Sequence, residues 1–159
     1  MFSHVNAPPA AIFVLLTDDQ TMFRMIAKRH LTTHFGMQVQ FVEACDADQA
    51  IAACKAQIEV NGKNFDLIIM DFNMPPLQET NVIARNGQEA VLHIRALEAE
   101  KEMDADKCSK IITWSSDYHE KMAGTDAVLP KPFKGDQLNE TVSTLMQARP
   151  SAGSRTSPP

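Results

Sequence analysis

The residues of this sequence that could do chemistry together each follow an apolar run. Asp18 and Asp19 follow AIFVLLT, Asp71 follows LIIM, Ser115 and Ser116 follow IITW, and Lys131 follows AVLP. Carboxylates brought together repel, and either raised pKa values or a bound cation relieves the repulsion. A cation is the simpler solution. A few carboxylates with room for water and phosphate oxygens suit Mg²⁺, which seldom sits in an all-protein cage. Neither Cys nor His stands among these residues, which argues against zinc or copper. An ammonium from Lys131 and a hydroxyl from Ser115 would supply the charge neutralisation and hydrogen bonds that phosphoryl transfer needs. The set reads as a metal plus phosphoryl site, provided the chain brings its members together.

The elements that precede these residues can do so. Residues 11–17 form a continuous apolar run, as expected of a strand buried on both faces. Residues 20–34 repeat Phe23, Ile26, Ala27 and His30 at helical spacing, and Gly36 is placed to stop that helix. Met37, Val39 and Phe41 alternate with Gln38 and Gln40, the pattern of a strand with one wetter face at a sheet edge. Asp46 is placed as an N-cap with Gln49 three residues on, ahead of a helix carrying Ala47, Ala50, Ile51, Cys54 and Ile58 on one face. A third strand over 67–70 delivers Asp71, and a helix from Gln88 carries Ala90, Val91, Ile94 and Leu97. Strands over 111–114 and 127–129 follow, then a last helix from Asp136 with Leu138, Val142, Leu145 and Met146. The alternation of strand and helix predicts a doubly wound α/β domain with a mostly parallel sheet. In such sheets ligands bind beyond the carboxyl ends of the strands, where all these polar residues stand.

Composition bounds the function. The chain has 159 residues, a net charge of −5, 44% hydrophobic and 22% charged residues, which is an ordinary domain with a core large enough to need no disulfide or structural metal. An acidic pI near 5.5 with no basic cluster excludes the counterion-releasing surface of a nucleic-acid binder. Cys45, Cys54 and Cys108 are odd in number and lack metal-type spacing, which suits a reducing cytoplasm. No apolar run approaches the length of a membrane span or is flanked as a signal peptide is. The expected organisation is an N-terminal arm over 1–10, one domain over 11–147 and a disordered tail over 148–159.

The acidic pair in LLTDD, the segment LIIMDFNMP, the serine in IITWSS and the lysine in LPKPF, in that order, resemble the receiver domains of two-component response regulators. The resemblance covers residues 11–147, and while each motif is weak alone, the four in order are strong. It implies a flavodoxin-like, five-stranded parallel sheet of order 2-1-3-4-5 with helices on both faces. It implies that Asp71 accepts a phosphoryl group from a histidine kinase or histidine phosphotransfer protein. Mg²⁺ would be held by Asp19, Asp71 and the backbone carbonyl of Asn73, with Asp18 acting through water, while Lys131 and Ser115 contact the phosphoryl oxygens. Lys131-Pro132 would be a cis peptide, an option open to X-Pro bonds. Such a domain is no enzyme beyond phosphorylating itself from small donors and dephosphorylating itself at a rate tuned by Asn73 and Ser116. It is expected as a monomer that answers to a downstream protein, either alone or as a receiver cut from a hybrid kinase.

The chain departs from that pattern at three places. Gly87 stands sixteen positions beyond Asp71, about twice the usual interval, so residues 75–86 are expected as an enlarged flap beside the site. Only the ten residues 117–126 separate Ser116 from the fifth strand, so the helix normally found there is reduced or absent. Residues 117–125 are then expected to respond locally, by ordering or disordering. Val128 stands where an aromatic switch residue is common, so the usual coupling of hydroxyl and ring cannot operate in that form.

Plainer readings compete at each position. Alone, Asp18-Asp19 is an N-cap and its neighbour, Lys131 a surface lysine and Ser115 a strand-end hydroxyl; their company changes that. His30 and His34 have metal-ligand spacing but no third ligand, and Met22, Met25, Met70 and Met74 read as packing or surface. Trp114 reads as core. Two function classes remain beside the signalling module. One is a constitutive docking module that is never phosphorylated. The other, an aspartyl-phosphate hydrolase, is weakened by Asn73 standing where a second aspartate would act as acid and base.

Overall fold

The computed structural model describes residues 10–116 and 120–147. The expected arm and tail, and residues 117–119 of the expected responsive segment, lie outside the described residues. The elements are β1 (Ile12–Thr17), α1 (Thr21–Phe35), β2 (Val39–Ala44), α2 (Ala47–Asn61), β3 (Leu67–Asp71), α3 (Gly87–Glu100), β4 (Lys110–Ser115), β5 (Ala127–Pro130) and α4 (Gly135–Gln147). All five strands are parallel, in the order β2-β1-β3-β4-β5. The chain therefore has the expected doubly wound architecture, with β2 at an edge.

Strand side chains alternate between two cores, as the period of two requires. Leu15, Ile68, Met70 and Ile111 pack under α2 and α3. Val14, Leu16, Leu67, Ile69, Ile112 and Trp114 pack under α1 and α4. Every residue of β3 is buried, because helices cover both of its faces. In α2 all five residues of the expected stripe are buried. Asp46 caps that helix by accepting the Gln49 N–H at 2.8 Å, and Gln49 reaches back to the Cys45 N–H at 2.9 Å.

The stripe expected in α1 needs correction. The buried residues are Arg24, Ala27 and Leu31, while Ile26 is exposed and His30 half-buried. A buried arginine interrupts the apolar period: its guanidinium donates to the Asp18 carbonyl at 2.6 Å and to Glu43 at 3.1 Å. His30 rests edge-on against Phe133, just ahead of α4, and His34 Nε2 lies 3.1 Å from Ser143 Oγ within it.

Among the described residues there is no helix between β4 and β5. The connection instead lies against α3. Arg95 donates from Nε to the Gly124 carbonyl at 2.8 Å and from Nη2 to Asp126 at 3.1 Å, while Asp126 also accepts the Ile111 N–H at 2.8 Å. At Gly124, φ 84°, an added methyl group would crowd Val91 and the Arg95 stem, so the connection lies against α3 through one arginine and a glycine that leaves room for it.

The enlarged loop leans on the start of α2, and none of residues 75–86 is among the described residues that line the cleft. Asp48 accepts the backbone N–H groups of Ile83 at 3.2 Å and Ala84 at 2.8 Å, and Asp46 accepts that of Leu77 at 3.2 Å. Met74 and Ala84 are buried as anchors, which leaves Leu77 and Ile83 facing outward.

Candidate functional site

Asp71 ends β3 and pairs in register with Trp114 of β4. Its carboxyl-end position is held by close backbone packing. Phe72 donates its N–H to the Trp114 carbonyl at 3.3 Å, and Gly87 donates to the Phe72 carbonyl at 2.9 Å. A methyl group at Gly87 would overlap the Asp71 carbonyl, so α3 can begin here only with glycine.

Asp18 ends in the same place from β1, and it is fully buried. Its Oδ2 accepts from Lys131 Nζ at 2.6 Å and its Oδ1 from the Gln20 N–H at 2.8 Å. The same ammonium lies 3.2 Å from Asp71 Oδ1, which also accepts the Asn73 N–H at 3.3 Å. At its other end Lys131 is fixed by its backbone N–H, which donates to the Ser115 carbonyl at 3.0 Å, and Lys131-Pro132 is cis as expected.

These groups border a cleft of about 290 Å³. Asp19, Asp71, Asn73 and Lys131 line it, with Gln20, Phe23, Ser116 and Pro132 at its sides. Burial pushes the Asp71 carboxyl up to about 6, with repulsion from Asp18 adding to it; Lys131 and the Asn73 N–H oppose the shift without cancelling it. Asp18 is also raised, again chiefly by burial, against the pull of Lys131.

One carboxylate oxygen from each of Asp18, Asp19 and Asp71 falls within 4.8 Å of the others. This set could hold a hard divalent cation, since every donor is oxygen. Both oxygens of Asp18 already have hydrogen-bond partners, whereas Asp19 is exposed and faces the cleft. Among the described residues no His or Cys joins a comparable cluster.

The structure thus gathers Asp18, Asp19, Asp71, Asn73 and Lys131. Ser115 is placed differently from its neighbour: it is buried at the end of β4, and Ser116 is the hydroxyl residue that lines the cleft. Phe23 was legible only as a helix-face residue, yet it borders the cleft with its ring under Lys131. Its position four residues after an acidic pair carries no signal of that contact.

No family model and no curated protein matches the sequence. Solved structures do match. The response regulator domain of Thermotoga maritima CheB is 25% identical, with 88% of this chain and 99% of that chain covered at a TM-score of 0.59. The Vibrio cholerae chemotaxis protein CheY4 is 25% identical over 86% of this chain and 99% of that one, at 0.60. A third match is the Saccharomyces cerevisiae complex of the histidine phosphotransfer protein Ypd1 with the receiver domain of its downstream response regulator Ssk1. It is 20% identical over 87% of this chain and 92% of that chain, at 0.64. The fold is that of the response-regulator receiver domains of two-component signalling.

Proposed function

We propose that the chain is a phosphoryl-accepting receiver in which Asp71 takes a phosphoryl group from a phosphohistidine and the product alters contact with a protein partner. The observation that carries the reading is the Asp71 carboxylate at the border of an open cleft, flanked by Asp18 and Asp19 and facing the Lys131 ammonium. One Asp71 oxygen attacks phosphorus in line, the bond from phosphorus to the donor nitrogen breaks, and the donor keeps that electron pair. Asp71 must be ionised to attack, and Lys131 neutralises charge gathering on the phosphoryl oxygens. Asp19 and Asp71, with Asn73 beside them, would hold Mg²⁺, which when bound would supply charge neutralisation for the transferring group. Water attack on the acyl phosphate would return Asp71 to its free form, without turnover of an external substrate.

The donor must approach over the cleft. There α1 begins, exposing Met22, Met25 and Ile26 around Phe23, an apolar surface suited to a phosphotransfer protein. That such a protein is paired with a receiver in one similar structure supports this choice. A reducing intracellular setting fits three cysteines that are odd in number and lack metal-type spacing. Among the described residues no helix is long and apolar enough to cross a membrane.

A docking module that is never phosphorylated is the second reading, favoured by the lack of a helix among the described residues between β4 and β5 and by Val128. Beryllofluoride, a phosphoryl mimic, separates the two. In the presence of Mg²⁺ it is expected to bind the wild type, seen as a bound fluorine resonance and a raised melting temperature, and to leave Asp71→Asn unchanged. Equal behaviour of the two proteins would favour the docking module.

A further inference from the structure

We propose that Phe23 and Trp114 form an aromatic seat that positions the Lys131 ammonium beside Asp71. The proposal rests on the reading of Asp71 as the phosphoryl acceptor. Lysine is a point charge on a flexible four-carbon stem, so its place in a site must be imposed from outside. The carboxylates of Asp18 and Asp71 impose it from one direction. From the other, Nζ lies over the Phe23 ring at 4.2 Å from its centroid and over the Trp114 ring at 5.3 Å. Ring faces are negative, and the attraction grows where the cation is shielded from water, as it is here with the Lys131 side chain 8% exposed.

The seat is built from separate elements and locked by ring packing. Phe23 comes from the first turn of α1 and Trp114 from β4, and the two meet edge-on at 6.0 Å. Trp114 stacks on Phe133 at 5.3 Å and 21°, and Phe133 meets His30 of α1 edge-on at 6.2 Å. The Trp114 indole N–H has no hydrogen-bond partner among the described residues, so packing alone sets the ring. This ring set lies on the α1 and α4 side of the sheet. New oxygens on Asp71 draw the ammonium within the seat, and the change in its field and contacts passes to Trp114, Phe133 and the α1–α4 contact.

Phe23→Leu keeps apolar bulk and removes the ring face; Phe23→Tyr keeps the face. With Mg²⁺ held constant, the leucine variant is expected to bind beryllofluoride and to form the acetyl phosphate adduct about 3- to 10-fold less well than wild type, and the tyrosine variant within about 2-fold of it. A merely structural role would move melting temperature and leave this contrast absent. Trp114 is the chain's one tryptophan, so its emission reads the seat directly. Beryllofluoride is expected to shift that emission in wild type, and Lys131→Met to shift it in the unliganded protein. An adduct that forms equally fast in Phe23→Leu, or an emission spectrum unchanged by Lys131→Met, overturns the seat while leaving phosphoryl acceptance intact. A wild type that takes neither beryllofluoride nor phosphoryl group withdraws both.

Discussion

Lys131 is closer to Asp18 than to Asp71: its ammonium lies 2.6 Å from the first carboxylate and 3.2 Å from the second. The buried, fully partnered Asp18 therefore holds the lysine in reserve beside the acceptor. With Asp18 at 0% and Lys131 at 8% side-chain exposure, removing one partner leaves an uncompensated buried charge. Lys131→Met is expected to destabilise the metal-free protein by about 3 kcal/mol near neutral pH in urea unfolding. The loss should shrink below pH 5, where protonation of the carboxylates removes the repulsion. A loss independent of pH would show that packing of the lysine stem matters more than its charge.

Metal-free stability should fall with rising pH through the range set by Asp71. Its carboxyl titrates near 6 in the native state against 3.8 as the ordinary value. Between these values the native state holds a proton that the unfolded chain has lost, so stability is full below about pH 4 and declines up to about pH 6. Asp18, raised in the same direction, adds to the slope. Asp71→Asn is expected to flatten this decline and to make the metal-free protein more stable at neutral pH. Unfolding curves at several pH values check this; a steeper decline in Asp71→Asn would refute it.

The loop ahead of α3 should loosen when Asp48 is replaced. Asp48→Ala removes the acceptor for the Ile83 and Ala84 amides. Expected are faster hydrogen exchange at those two amides and a loss of about 1 kcal/mol in stability. Unchanged exchange would mean that burial of Met74 and Ala84 alone anchors the loop.

Much of this was legible in the sequence, for reasons that are local. In β3 the run LIIM followed by Asp71 is both a buried strand and a delivered carboxylate, and in α2 the stripe and the Asp46 cap agree. Where the sequence misled, a long-range contact decided the outcome. Arg24 is buried because Asp18 and Glu43 lie where its guanidinium reaches, which no helical period contains. The loop turns toward α2 because of bonds between residues more than thirty positions apart. Phe23 looked like core because an aromatic ring at helical spacing has the same signature whether it meets a leucine or an ammonium. The short connection from β4 to β5 was readable from chain length; the Arg95 bonds to Gly124 and Asp126 were not.

Cys54 should be the slowest thiol to react. Burial pushes it up to about 12, whereas Cys45 and Cys108 are partly exposed. Pulsed alkylation read by mass is expected to label Cys45 and Cys108 in the native protein and Cys54 only on unfolding. Early labelling of Cys54 would contradict the packing of α2 against the sheet.

The central claim is that Asp71 accepts a phosphoryl group, and intact mass after incubation with acetyl phosphate tests it most directly. The expected result is an adduct of about 80 Da that requires Mg²⁺ and is absent from Asp71→Asn. No adduct in the wild type, together with no Mg²⁺-dependent rise in melting temperature, would contradict the account and leave a receiver fold used only for docking.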